Sequence, residues 1–198
     1  MSDIEWHMVG GARADEEWHD LVGRLARLGI HYFATSPSLP GSSEHASSND
    51  AGDEALVPLI LDLARSRHAH LRDALIALLL RHPVATEAAR SAAGRLAASD
   101  PARQFLLLSV VVAAALQREW AFTLDIYLPN QPTIEADDLA AQLELPSPDE
   151  DYGRPCLMAV ANALAGVASF PFNYRAGWEG AARRLLAQLR QDAHRGAA

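Results

Sequence analysis

Lysine is absent from this chain, so all 17 of its basic residues are arginine. With the abundance of alanine, this fits a GC-rich coding sequence better than a selection for bidentate guanidinium chemistry. Cysteine is nearly absent as well. Cys156 stands alone, which excludes an intramolecular disulfide, and its apolar setting (PCLMAVANAL) marks it as a small buried hydrophobe. Long apolar runs are missing: Phe105 to Leu116 spans about 12 residues, where about 18 are needed to cross a bilayer. The opening MSDIEWHMVGG places acids where a signal peptide needs cations, and no apolar stretch follows it. There is no Gly-x-Gly-x-x-Gly, no P-loop and no Gly-x-Ser-x-Gly. The expectation is a soluble cytoplasmic protein without a membrane partner.

The net charge of −8 is unevenly spread. Residues 1–120 hold 11 Arg and 15 acids, residues 121–154 one Arg and eight acids, and residues 155–198 five Arg and two acids. An acidic chain without a basic block is poorly suited to gripping a nucleic-acid backbone. Arg183, Arg184, Arg190 and Arg195 make only a short basic helix face, which reads as solvated surface or as a match for the acidic segment.

A hydrophobic fraction of 49% over 198 residues supports one domain with an ample core. A first helix is expected over Asp15–Leu28, with acids in its first turn, Trp18, Leu21, Val22, Leu25 and Leu28 on one face, and Gly29 as its stop. Ile30 to Ala34 reads either as a short strand or as the packed exit of that helix. Residues 35–52, dense in Ser, Pro, Gly and Asn, are expected to be a flexible loop.

From Asp53 onward helices follow one another closely. Leu56, Leu59, Ile60 and Leu63 line one, with Pro58 near its start; Leu71, Leu75, Ile76, Leu78 and Leu79 line the next, which ends before Pro83. An Ala-rich helix over Thr86–Ala98 and a buried central helix capped by Asp100, with Pro101 at its first position, complete the run to Trp120. Residues 121–154 read as an acidic, proline-rich insertion, extended apart from a short helix over Thr133–Leu143. With Pro155, which follows it, this stretch holds five of the eleven prolines. Two more helices are expected, Pro155 to Ala168 and Ala176 to Gln191, joined by an aromatic knot of Phe170, Phe172, Tyr174 and Trp178. The fold class is therefore all-α, a bundle of about six helices.

Residues 55–83 (ALVPLILDLARSRHAHLRDALIALLLRHP) carry a Leu-x-Pro-Leu opening and an apolar-Arg-Asp-Ala-apolar step at Leu71, Arg72, Asp73, Ala74 and Leu75. In these features the segment resembles one HEAT repeat. The resemblance implies antiparallel helical hairpins stacked side by side, with Arg72 and Asp73 tying neighbouring repeats together. A second copy follows in part, Leu96-Ala97 matching Leu63-Ala64 and Arg103 matching Arg72, and there is no third. The expectation is thus a compact bundle with HEAT-like hairpins rather than an open solenoid.

Candidate chemistry is sparse. His68 and His70 are two residues apart and point to different faces of a helix, and Glu16-x-x-His19 has no second half-site, so no metal or other cofactor is expected. Gly41-Ser42 with Asp50 and Asp53 matches a nucleotidyltransferase pattern only superficially, because no strand can form around those acids. An Arg-x4–6-His spacing marks the HEPN ribonucleases, small helical domains. This chain offers Arg65…His70, Arg13…His19 and Arg24…His31, against roughly two matches expected by chance from this composition. Arg65 and His70, ending an apolar helix, form the enzyme alternative. The preferred reading is a non-enzymatic module that binds another protein, a basic one, through Trp120, Tyr127, Asp137, Asp138, Asp149, Glu150, Asp151 and Tyr152. Pairing between copies, as a homo-oligomer, is the third.

Overall fold

The computed structural model describes residues 3–33, 53–167 and 174–196. The loop expected over 35–52, together with Phe170 and Phe172, lies outside them. Nine α-helices are present among the described residues, and no strand. They are α1 (Asp3–Arg27), α2 (Asp53–Arg65), α3 (Ala69–Arg81), α4 (Ala85–Gly94), α5 (Pro101–Glu119), α6 (Ala121–Tyr127), α7 (Asp137–Gln142), α8 (Arg154–Val167) and α9 (Tyr174–Gly196). Within residues 121–154 the short helix expected over Thr133–Leu143 is α7, while α6 and a single turn at Glu150–Gly153 form where an extended chain is expected.

Helix α1 begins twelve residues before Asp15, so the acids at 15–17 lie inside it. Its end follows the sequence signal. Gly29 adopts φ +75°, its N–H bonds Ala26 O at 2.9 Å, and Ile30 N–H bonds Leu25 O at 3.0 Å. That is a Schellman motif, which uses two of the carbonyls that a helix end leaves open. Ile30 is fully buried and Ile30–Phe33 form the packed exit of α1, not a strand. The exit is held from two sides. His82 and the Arg81 guanidinium of α3 both meet Leu28 O, while the Gln188 amide of α9 donates to Gly29 O at 2.7 Å and accepts from His31 N–H at 2.6 Å.

Pro58 faces solvent inside α2, and the carbonyl it leaves unpaired belongs to the helix's first turn. Helix α3 packs against α1, α2, α4, α5 and α9, which explains why every residue from Ala74 to Leu80 is buried. Helix α4 is shorter than expected, closing at Gly94. Its Ala85, Ala88, Ala89, Ala92 and Ala93 are buried, and such small side chains let α2 and α5 approach on either side. Asp100 caps α5 as its sequence predicts, accepting from Ala102 N–H at 2.9 Å. From Leu108 to Leu116 α5 is buried on all faces, touching α2, α3, α4, α6, α7 and α8. Among the described residues no single helix is long and apolar enough to cross a membrane. Helices α5 and α6 reach that length only together and are bent by 86°.

Arg72 bonds Ser66 O at 2.7 Å within its own α2–α3 hairpin, and Asp73 faces Gly177 of α9. Cys156 is fully buried at the start of α8, and burial pushes its thiol up to about 11, with Asp137 adding to the shift. Only the thiolate is nucleophilic. The native protein should therefore leave a thiol-reactive reagent unconsumed at pH 7–8 over hours and consume one equivalent on adding denaturant. Fast native labelling would show that α8 opens readily.

Candidate partner-binding surface

Residues 121–154 are seated on the core rather than hung from it. Leu124, Ile134, Ala136, Leu139 and Ala140 are buried against it. The Gln117 side chain of α5 clamps the stretch before α7: its amide donates to Pro132 O at 2.9 Å and its carbonyl accepts from Ile134 N–H at 2.8 Å.

The acids nominated from the sequence divide into two groups. Asp138 takes both terminal nitrogens of Arg90 at 2.9 and 3.0 Å, and Arg90 also donates to Glu135 O, which fastens α7 to α4. This guanidinium holds the Asp138 carboxyl below the usual carboxylate range. Asp149 pairs with Arg118 at 2.5 Å, and Asp137 accepts from the Ser147 hydroxyl. These three carboxylates serve the fold. Glu150 and Asp151 are exposed and make no ion pair or side-chain hydrogen bond among the described residues. Asp125, Glu135 and Glu144 likewise keep their carboxylates unpaired.

The aromatics divide in the same way. Trp120, where α5 ends and α6 begins, is half-buried against the core, as is Tyr127. Tyr152 is 67% exposed. Its turn is unusual: Asp151, Tyr152 and Gly153 have φ of 41°, 56° and 77°, three consecutive residues in the left-handed region. For the two non-glycine residues this conformation costs about 1–2 kcal/mol each, so the packing around them must enforce it. The result is an outward Tyr152 beside Glu150 and Asp151.

Two residues escaped the sequence reading. Phe122 is 84% and Ile126 59% exposed. Lying one helical turn apart on α6, they form an apolar stripe opposite the buried Leu124. Their i, i+4 spacing was visible, but only to a reader who took AFTLDIY as helix. Beside Phe122 an open groove of about 390 Å3 runs between the end of α5, α6 and residues 131–133.

Arg65 and His70 of the enzyme alternative have different neighbours. Arg65 ion-pairs with the capping Asp100 at 3.1 Å, and no hydrogen bond joins it to His70. His70 is exposed beside Asp73, which together with Tyr32 and Arg184 forms a polar cluster between α3, α9 and the exit of α1. The Arg184 guanidinium lies 5.4 Å from the Tyr32 ring centre. Burial raises the Tyr32 hydroxyl and the Asp73 carboxyl, in both cases against the opposing pull of Arg184. A carboxyl raised in the folded state binds protons there that the unfolded chain has already released. Stability therefore falls as pH rises through the interval above the ordinary Asp value. Asp73→Asn should accordingly have a higher melting temperature than the parent at pH 7, with the difference vanishing near pH 3. A lower melting temperature at pH 7 would mean that the Arg184 charge outweighs burial.

Among the described residues no group of three or more His, Cys, Asp or Glu side chains is placed to hold a metal ion. Compared with protein-family models, with curated proteins and with solved structures, the chain matches none.

Proposed function

We propose that the chain is a non-enzymatic helical accessory module of the cytoplasm that binds a basic protein through the surface built by residues 121–154. The hairpins α2/α3 and α4/α5 act as a HEAT-like scaffold: α4 lies against α2, and α5 against α3, as stacked repeats require. The observation that carries the reading is the exposed Phe122/Ile126 stripe, presented by a folded segment whose unpaired acids include Asp125, Glu150 and Asp151. Large exposed apolar side chains beside an unpaired charge are what an interaction surface offers.

The division among the acids sharpens the test. Glu150→Gln with Asp151→Gln should weaken a complex with a basic partner and flatten its salt dependence, while the melting temperature stays put. Asp138→Asn with Asp149→Asn should instead lower the melting temperature, because their arginines lose partners. A complex that survives 0.5 M salt and the Glu150/Asp151 changes unweakened would remove the acidic surface from consideration.

A further inference from the structure

The groove under α6 has a floor and a charge balance that together select an occupant. Its walls set Phe122, Leu124 and Leu128 among Gln117, Gln131 and Thr133, a mixed apolar and polar lining. Arg118 also lines it, but Asp149 already neutralises that guanidinium at 2.5 Å. Asp125, also lining it, makes no ion pair among the described residues, so the groove is left with an excess of negative charge. We propose that this groove, with Phe122 on its wall and the exposed Ile126 one turn along α6, docks an amphipathic helical segment of a partner protein. That segment carries large apolar side chains at i, i+3 and i+4, flanked by Lys or Arg. The inference rests on the interaction-module reading and names the chemistry of the partner.

A second copy of the chain fits less well. Two copies would bring net charges of −8 together. Among the described residues a basic element they could exchange is the exposed end of α9, from Arg190 to Gly196, and it offers Arg190, His194 and Arg195, beside Asp192, without a large apolar side chain. Seated on α6, it would leave the stripe uncovered. A foreign segment with both features satisfies both halves of the surface.

The test uses the full chain and two synthetic probes. One is a 16-residue helical peptide with Leu at i, i+3, i+4 and i+7 positions and Lys elsewhere; the other has every Leu replaced by Ser, which preserves its charge. Fluorescence anisotropy at 50 mM salt should show the Leu peptide binding at least about tenfold more tightly than the Ser peptide. Phe122→Ser with Ile126→Ser should reduce the Leu peptide's affinity about 30-fold, the loss expected of a central apolar anchor. Asp125→Asn should reduce it a few-fold and lower its salt dependence. Both changes lie on the surface, so unchanged melting temperatures verify the fold.

Equal binding of the two peptides would overturn the proposal, since charge alone would then suffice. If binding ignores the Phe122/Ile126 change but is lost on neutralising Glu150 and Asp151, the groove is wrong while the acidic surface stands. If binding survives both sets, both readings fail. A dimer in sedimentation that Phe122→Ser with Ile126→Ser converts to monomer would also overturn it, making a second copy the occupant.

Discussion

Gly153→Ala should destabilise the protein by about 3 kcal/mol, the sum of a left-handed backbone cost of about 1–2 and an overpacking cost of about 1–3. At this chain length that corresponds to a fall in melting temperature of roughly 6–12 °C. Gly153 holds φ +77°, and a Cβ there would lie 2.5 Å from Ala115 O and 2.7 Å from Ala115 Cα. Both atoms belong to the backbone of α5 inside its fully buried stretch, so they cannot step aside. Gly29 is the informative comparison. Its φ is +75°, but the nearest atoms to an added Cβ are the guanidinium atoms of Arg81, the far end of a flexible side chain. Gly29→Ala should therefore cost less than Gly153→Ala, chiefly the backbone term. Thermal unfolding of the two variants separates the cases, and equal losses would mean that α5 yields to the intruding methyl. The consequence reaches the surface too. If Gly153 cannot sit against α5, the two left-handed residues before it lose their template and Tyr152 turns away. Partner binding should then fall in whatever fraction of the variant remains folded.

The sequence-level signals succeeded where one residue type has one local explanation. Asp100 with Pro101 marks the start of α5, Gly29 the end of α1, and the apolar setting of Cys156 its burial. They failed where the cause is distant. Three acids of residues 121–154 looked free because their partners lie elsewhere in the chain or in its own turns: Arg90 is 48 residues before Asp138, and Arg118 is 31 before Asp149. No spacing rule reaches that far. Helix α6 was missed for a local reason. AFTLDIY has no cap, only seven residues and near-alternation of large apolar and polar groups, and an isolated helix of that length has no stability of its own. The anchor is Leu124, buried where α6 crosses the end of α5. The start of α1 was displaced because Asp15, Glu16 and Glu17 imitate a first turn while Gly10-Gly11 imitates a break. The candidate site shifted accordingly. Glu150, Asp151 and Tyr152 remain exposed, Trp120 and Tyr127 belong half to the core, and Phe122 with Ile126 enter as the apolar part.

Alanine replacements in the buried stretch of α3, from Leu75 to Leu80, should all be severe, including at neighbouring positions that point in different directions. Consecutive residues on a helix point about 100° apart, so an ordinary amphipathic helix answers an alanine scan with alternating large and small effects. Leu75, Ile76, Leu78 and Leu79 have no exposure at all, because five helices surround α3. Leu75→Ala, Ile76→Ala and Leu78→Ala should each cost about 3–4 kcal/mol, towards the upper part of the range for such truncations. Five packed helices leave no free face from which the cavity could collapse. Losses of that size approach the whole stability of a small domain, so a pair of them should leave the chain unfolded at 37 °C. Val84→Ala, at an exposed position just before α4, should change stability by no more than about 0.5 kcal/mol. Urea denaturation of the four variants decides the matter. If any of the Leu75, Ile76 or Leu78 variants lost less than about 1 kcal/mol, that stretch of α3 would have a face open to solvent, and α9 would not be packed over it. A uniform loss would make α3 the axis of the scaffold. Partner contacts would then lie on its periphery, at α6 and the Glu150–Gly153 turn, where substitutions alter binding without altering the fold.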